Sequence, residues 1–161
     1  MAIIVEDGTG KTDSNSYVTT VEMDAFFTDR GFTIPATEAE KEALLIKAKD
    51  YLETYSYRGT RNTREQALSW PRTGVTIDGF AIGSDEIPTE LKNAQMQAAY
   101  DLQSNDPLAV TGKGVKREKV DVIEVEYENG GSNQSVRFPM VESYLAKITL
   151  DGGFIRLSAM R

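Results

Sequence analysis

Gln66-Ala67-Leu68-Ser69-Trp70-Pro71-Arg72 is the stretch around which the chain is organised, and it holds the only tryptophan. The residue before a proline is pushed out of helical backbone geometry, so any helix that reaches this stretch ends at Trp70. A large indole at such a terminus usually fills the edge of a core and donates its N–H locally. We therefore interpret Trp70 as a core anchor that fixes where the loop of residues 73–86 departs.

Helical patterns lie on both sides of this stretch. Residues 38–55 predict the central helix, because their apolar positions repeat with the 3.6-residue helical period and Thr37 and Glu40 form a capping box before them. A shorter helix precedes it and ends at Gly31. A third helix follows Pro88, and its alanine-rich face lets another helix approach closely. We expect this third helix to pack against the central one.

Strand patterns appear in two places. Apolar β-formers surround Asp78-Gly79 and predict a tight hairpin. From Val115 onward charged and apolar residues alternate, which is typical of a strand. Asn129-Gly130-Gly131 then predicts a turn and residues 134–138 a return strand. Residues 115–138 therefore predict a long, charged β-hairpin arm.

The C-terminal part begins with a short helix at Pro139 and ends in a tail, residues 150–161, that is too apolar for a free solvated end. The tail predicts a docking segment, either within the chain or on a partner. The fold class expected is mainly α: a small helical bundle with a long β-hairpin arm and a C-terminal docking tail. One domain is expected over residues 1–161, with a helical core (16–105), the arm (115–138) and the C-terminal helix and tail (139–161).

The composition excludes several kinds of chemistry. The 161 residues include no cysteine and no histidine, which rules out disulfides, thiolate nucleophiles, Cys/His zinc sites and imidazole catalysis. A carboxylate-only magnesium or calcium site and a Ser/Lys or carboxylate mechanism stay open. No pair of carboxylates stands out at ligand spacing, however, so we expect neither an enzyme nor a metal or other cofactor. There is no apolar run of the ~20 residues that cross a bilayer and no basic segment typical of a signal peptide, so we expect no membrane contact and a cytoplasmic setting.

A glycine-rich loop near the N-terminus, Gly8-Thr9-Gly10-Lys11-Thr12, is superficially similar to a phosphate-binding loop. The phosphate-binding motif needs an earlier glycine where this chain has Val5. The residues that follow are turn formers rather than the start of a helix. We therefore interpret this segment as a polar loop.

The basic cluster Tyr57-Arg58-Gly59-Thr60-Arg61-Asn62-Thr63-Arg64 precedes the opening stretch and allows two interpretations. Arginines on phosphates, with Tyr57 and Trp70 stacked on bases, would make a single-stranded-DNA-binding module. Arginines paired with the abundant carboxylates, or lying at a protein interface, would be structural. The net charge of -7 favours the second interpretation, because DNA-binding proteins are typically basic on at least one face.

The order of several short motifs carries a family resemblance. These motifs are Asn15-Ser16-Tyr17-Val18, Ala48-x-Asp50-Tyr51-Leu52, Arg58-Gly59, the stretch 66–72, Ile87-Pro88 before the alanine-rich helix, Glu124-Val125-Glu126-Tyr127 and Phe138-Pro139. In this order they resemble the head–tail adaptor family of long-tailed bacteriophages, also called connector or head completion proteins. Sequences of this kind often carry the label "DnaT-like single-stranded-DNA-binding protein".

The resemblance implies a structural virion protein. Members of the adaptor family form a ring, here expected to be a dodecamer, beneath the portal protein, and they contact a tail terminator or second connector protein. Packaged DNA passes through the ring without specific binding. The protein would then belong to the virion neck and be assembled in the host bacterial cytoplasm. The acidic composition fits a channel wall that does not hold DNA.

The contacts expected for such a ring come from basic residues and from the apolar tail. The candidate portal or subunit interface residues are Arg58, Arg61, Arg64, Arg72, Lys116, Arg117, Lys119, Phe154, Ile155, Leu157 and Met160. For the alternative, a single-stranded-DNA-binding module, the candidate residues are Arg58, Arg61, Arg64, Tyr57 and Trp70.

Overall fold

The computed structural model describes residues 2–104, 117–120, 123–126 and 138–154, which form four helices and eight short strands. The helices are α1 (Thr20–Arg30), α2 (Glu38–Leu52), α3 (Thr89–Asp101) and α4 (Pro139–Leu145). The strands are β1 (Tyr55–Tyr57), β2 (Thr60–Arg61), β3 (Arg72–Thr73), β4 (Thr76–Ile77), β5 (Phe80–Ala81), β6 (Arg117–Val120), β7 (Ile123–Glu126) and β8 (Thr149–Phe154).

The architecture is a small, mixed α/β fold, so the prediction of a mainly α bundle with a long β-hairpin arm is wrong. The strands pair antiparallel into two-stranded sheets, in the combinations β1 with β8, β2 with β3, β4 with β5 and β6 with β7. Strands of two or three residues are too short to produce a readable alternation, which is why the sequence pattern missed them. Among the described residues, no helix is long and apolar enough to span a membrane.

The first two helices begin at the predicted capping boxes. Thr19 accepts a hydrogen bond from the Glu22 N–H, and the Glu22 carboxylate accepts one from the Thr19 N–H at 2.7 Å. Thr37 and Glu40 make the same reciprocal pair before α2. These bonds satisfy backbone donors that the first turn of a helix leaves unpaired. Helix α1 ends at Gly31, whose positive φ of 65° confirms the predicted stop.

Helix α3 lies at the centre of the core and packs against both α2 and α4. Its residues Ala94, Ala98 and Ala99 are fully buried, and their small side chains let the neighbouring helices approach closely. The predicted packing of the alanine-rich helix against the central helix is therefore confirmed. The face formed by Leu45 and Leu52 supplies the opposing side from α2.

A buried glutamine joins α3 to the N-terminal segment and to α2. The Gln95 amide donates to the Leu45 carbonyl oxygen at 2.9 Å and to the Ser16 hydroxyl at 2.8 Å, and its carbonyl accepts from the Tyr17 N–H at 2.8 Å. A buried amide left without partners would cost about 1–3 kcal/mol. Because these partners lie in two other segments, Gln95 also fixes the positions of the N-terminal segment and α2 relative to α3.

The arm region folds back on itself earlier than the sequence predicted. In the pairing of β6 with β7, Val120 lies opposite Ile123, so only two residues connect the strands. The prediction treated residues 116–127 as one continuous strand, and it is wrong on this point. The predicted turn at residues 129–131 and the predicted return strand at residues 134–137 lie outside the described residues. A two-residue connection is enough to close an antiparallel pair.

The register of this hairpin places residue types of opposite charge across from each other. Arg117 is paired with Glu126, and Lys119 is paired with Glu124. The alternation of charges that predicted one long strand therefore also fits two short strands paired with each other.

The first part of the predicted tail is a strand of the same fold. Strand β8 pairs with β1, with Thr149 opposite Tyr57 and Phe154 opposite Tyr55, and the register shifts between these pairs. This segment therefore docks within the chain, which was one of the two possibilities left open. Residues 155–161 lie outside the described residues.

The tight hairpin expected around Asp78-Gly79 is confirmed. Strands β4 and β5 pair with Ile77 opposite Phe80, and only Asp78 and Gly79 connect them. Both connecting residues have positive φ, 50° for Asp78 and 89° for Gly79. Such dihedrals match the twist of the strands, and aspartate and glycine adopt them more readily than other residues.

Candidate functional site

The predicted basic cluster forms a compact loop beside the core, here called the arginine loop (residues 58–72). Strands β2 and β3 pair at its two ends, with Arg61 opposite Arg72. A Cβ atom on Gly59 would lie 2.4 Å from the Thr73 carbonyl oxygen, so the chain passes Thr73 at a distance that only glycine permits. The loop is therefore closely packed at its base.

Arg72 holds the arginine loop together from within. Its guanidinium donates to the carbonyl oxygens of Arg58 and Gly59 at 2.7 Å, and more loosely to those of Tyr57 at 3.4 Å and Ser69 at 3.1 Å. Burial and the charge of Arg61 lower the pKa of Arg72 from its usual value. With its donors used on the backbone, Arg72 is a structural cross-link and offers little to a ligand.

Arg61 is engaged in part. One terminal nitrogen donates to the carbonyl oxygens of Gln66 and Leu68, the second at 3.0 Å. Gln66 is itself buried, and its amide donates to the carbonyl oxygens of Leu68 at 2.9 Å and Pro71 at 3.1 Å. A guanidinium has five N–H donors, so Arg61 keeps donors available on its exposed side.

The side chains of Arg58 and Arg64 are exposed to solvent. Arg58 is exposed, and its Nε donates to the Thr149 carbonyl oxygen at 3.0 Å, which leaves its terminal N–H groups free of described partners. Arg64 is exposed and has no hydrogen-bond or ion-pair partner within the described ranges. Together with Arg61, these two side chains form the cationic surface of the arginine loop.

Trp70 is a core residue, which confirms its interpretation as an anchor. It is 0% exposed, and its backbone N–H donates to the Tyr17 hydroxyl at 3.3 Å. Its ring packs edge-on against the Tyr57 ring, with 6.1 Å between the ring centres. Its indole Nε1 is buried without a hydrogen-bond partner in the part of the chain that the structure describes. The predicted local partner for the indole N–H is therefore absent there.

Tyr57 is equally inaccessible. It is 4% exposed, and its hydroxyl donates to the Leu52 carbonyl oxygen at 2.9 Å. The pKa of the Tyr57 phenol is raised well above its usual value, chiefly by burial and secondly by the negative charge of Glu53. Because neither Tyr57 nor Trp70 presents a ring face to solvent, the base-stacking roles predicted for them are wrong.

Glu53 fixes the opening stretch against the core. Its carboxylate accepts from the Tyr17 hydroxyl at 2.7 Å and from the Ser69 hydroxyl and N–H at 2.6 and 3.1 Å. These are charge-assisted bonds, which are stronger than neutral ones. The residue before Trp70 is thus held by an acid at the end of α2, a partner that the sequence pattern did not reveal.

An exposed aromatic side chain that the sequence interpretation missed lies on the neighbouring hairpin. Phe80 is 77% exposed, whereas Ile77 across the strand pair is 8% exposed. The signal available in the sequence was an apolar residue directly after the Asp78-Gly79 turn, where the tip of a hairpin meets solvent. The tip is held by an ion pair between Asp78 and Lys147 at 2.5 Å.

The glycine-rich N-terminal loop is occupied by a carboxylate of the chain itself. Glu6 is 1% exposed and accepts hydrogen bonds from the N–H groups of Gly8, Gly10 and Lys11 at 3.0, 2.9 and 2.8 Å, and from the Ser14 hydroxyl. These N–H groups are the donors that a phosphate would need. The loop therefore does not offer these donors to a phosphate, in agreement with its interpretation as a polar loop rather than a phosphate-binding one.

An open groove lies beside the C-terminal end of α3. It has a volume of about 590 Å³ and runs between the α1–α2 connection, α2 and the end of α3. Its lining includes Leu44, Lys47 and Leu102. No group of three or more histidine, cysteine or carboxylate residues that could hold a metal ion occurs among the described residues.

Comparison with protein-family models gives one match over residues 1–161, to the family described as "Putative DnaT-like ssDNA binding protein". The chain belongs to this DnaT-like family. No curated protein and no solved structure matches the chain. The family match does not bear on the head–tail adaptor assignment, which stays a prediction.

The structure brings together only part of the interface predicted for this DnaT-like chain. Arg58, Arg61, Arg64 and Arg72 share one loop, and Arg58 contacts β8, the strand that ends at Phe154. Arg117 and Lys119 lie in β6, apart from this loop in sequence. Lys116, Ile155, Leu157 and Met160 lie outside the described residues.

Proposed function

We propose that this protein binds single-stranded DNA through the cationic surface of the arginine loop. The observation that carries the proposal is the family match over the whole chain. The geometry supports it because Arg58, Arg61 and Arg64 are exposed on one closely packed loop. Arg72 holds that loop in shape, so little conformational entropy is lost when the loop contacts phosphates.

The binding is electrostatic and weak. Three exposed arginines can neutralise about three phosphates, and for single strands the affinity then falls with a log–log salt slope of about -2. The net charge of -7 opposes the approach of DNA. Because Tyr57 and Trp70 are buried, they add no stacking energy. We therefore expect measurable binding at low salt and a steep loss of binding as salt is added.

The test is fluorescence anisotropy with a labelled oligonucleotide across a salt series. Arg58→Gln and Arg64→Gln should each weaken binding and make the salt slope shallower by about 0.7. Lys47→Gln is the matched control, since it removes one exposed positive charge from α2, outside the arginine loop. Absence of binding at low salt, or an equal loss in the Lys47 variant, would overturn the proposal.

A second candidate is the structural adaptor role. It is favoured by the burial of both predicted stacking aromatics and by the acidic net charge, which suit a wall that DNA passes rather than a surface that holds it. In this proposal the protein is non-catalytic, forms a homo-oligomeric ring on the portal protein and meets a tail terminator or second connector protein. It would lie in the virion neck of a long-tailed bacteriophage and be assembled in the host cytoplasm.

Electron microscopy with and without portal rings separates the two candidates. The adaptor proposal expects a ring of this protein on the portal, with little effect of added oligonucleotide. Arg64→Glu should then weaken ring formation if the arginine loop lies at a subunit boundary. Particles that remain unbound at high protein concentration would exclude the adaptor role.

A further inference from the structure

We infer that Phe80 is a stacking platform for an unpaired nucleotide base, beside the phosphate-binding arginines. The inference rests on the proposed binding of single-stranded DNA. Phe80 is 77% exposed, although burial of a phenyl ring would normally be favourable. A ring held in solvent at the tip of a tight hairpin is therefore available to a ligand.

The hairpin is attached to the arginine loop at its base. A Cβ on Gly59 would lie 2.7 Å from Val75 Cγ2, so the segment after Arg58 lies directly against the residue that leads into β4. The Val75 carbonyl oxygen accepts from the Ile82 N–H at 2.9 Å and closes the hairpin two residues beyond Phe80. The hairpin that carries Phe80 is therefore attached to the segment that begins with Arg58.

The tip of the hairpin is attached to the same surface by a second route. Asp78 Oδ2 lies 2.5 Å from Lys147 Nζ. The residue after Lys147, Ile148, accepts a hydrogen bond from the Arg58 N–H at 3.0 Å. Two independent tethers thus hold the hairpin beside Arg58. The ion pair also places a positive charge against the Asp78 carboxylate, which would otherwise repel phosphate.

Unpaired bases are the ligand chemistry that fits this arrangement. Every base has a π face, so stacking on an aromatic side chain is tolerant of sequence, while neighbouring arginines follow the phosphates. In a duplex the base faces are already stacked inside the helix, so Phe80 would gain nothing from duplex DNA. The surface should therefore prefer single strands over duplexes of equal length.

The test compares Phe80→Ala with Val21→Ala in the full-length protein. Val21 is the matched control because it is an apolar side chain of similar exposure, 75%, on α1. Stacking on one base contributes ~1–3 kcal/mol, so Phe80→Ala should weaken binding to a labelled single-stranded oligonucleotide by about tenfold. The salt slope should stay unchanged, since no phosphate contact is lost. Phe80→Trp should retain or strengthen the binding.

The outcomes separate this inference from the proposed function. If the arginine variants lose affinity and Phe80→Ala does not, the stacking role is wrong and DNA binding stands. If the wild-type protein binds no oligonucleotide, both are wrong. If Phe80→Ala changes the sedimentation coefficient of the protein but not its DNA affinity, the hairpin tip is a protein contact and the inference is overturned.

Discussion

At the scale of single residues, Arg72 and Trp70 stabilise the arginine loop in two different ways. The Arg72 guanidinium donates hydrogen bonds to backbone carbonyls of the loop, and the Trp70 ring is buried in the core. Both residues have structural roles, because they fix the backbone of the loop that carries the exposed side chains of Arg58 and Arg64. A basic cluster in a sequence therefore contains charges of two kinds, of which only the exposed kind can meet a ligand.

The burial of Trp70 predicts a large effect on stability. Trp70→Ala should lower the free energy of unfolding by about 3–5 kcal/mol, because a fully buried indole leaves a cavity. Urea denaturation followed by circular dichroism measures this, since the variant has lost the only tryptophan. Trp70→Phe should lose less. A variant that lost DNA binding with unchanged stability would show that the indole meets the ligand.

At the scale of elements, β8 decides how the C-terminal segment is used. It pairs with β1, and its first residue, Thr149, accepts from Arg58 Nε and donates to the Leu145 carbonyl oxygen at 3.0 Å. The strand thus joins α4, β1 and the arginine loop. The segment Thr149–Phe154 therefore belongs to the chain's own fold, although the sequence left docking on a partner equally possible.

Two truncations test this commitment. Removal of residues 149–161 should lower the melting temperature relative to removal of residues 155–161, by about 5 °C or more. Each lost hydrogen bond contributes about 1 kcal/mol, and at this chain length 1 kcal/mol corresponds to about 2–4 °C. Thermal denaturation of the two truncated proteins gives the difference directly. Equal melting temperatures would mean that β8 contributes nothing to the fold.

At the scale of the whole molecule, buried phenols link stability to alkaline pH. Burial raises the pKa of Tyr17 and of Tyr57 well above the usual value, with the Glu53 carboxylate as the next cause in both. The folded protein therefore keeps both phenols neutral where the unfolded chain ionises them. Their contribution to stability is complete below about pH 10 and is lost as the pH rises above that value.

The prediction is a falling free energy of unfolding above pH 10. Each phenol that ionises only in the unfolded state steepens the slope by up to about 1.4 kcal/mol per pH unit. Tyr57→Phe should be less stable at neutral pH, because the bond to the Leu52 carbonyl is lost, yet show a shallower alkaline slope. Urea denaturation between pH 8 and pH 11 measures both. Identical slopes for the two proteins would contradict the assignment.

The sequence by itself determined the features that depend on near neighbours. Capping boxes at Thr19 and Thr37 and the Asp78-Gly79 turn follow from bonds and dihedrals within a few residues, so they were predictable. The burial of Trp70 was predictable from its large apolar ring. The same local reasoning located the arginine cluster. It could not tell Arg72 from the exposed arginines, because the carbonyls that Arg72 binds are brought to it by the fold.

Only the tertiary structure decided the features that depend on distant partners. The pairing of β8 with β1 and the hydrogen bonds of Gln95 to Ser16 and Leu45 have no distinctive local pattern. The mixed α/β character arises in the same way, since strands of two or three residues are defined by their partners rather than by their own sequence. Contacts between residues far apart in sequence are set by the packing of the whole chain, and local periodicity carries no record of them.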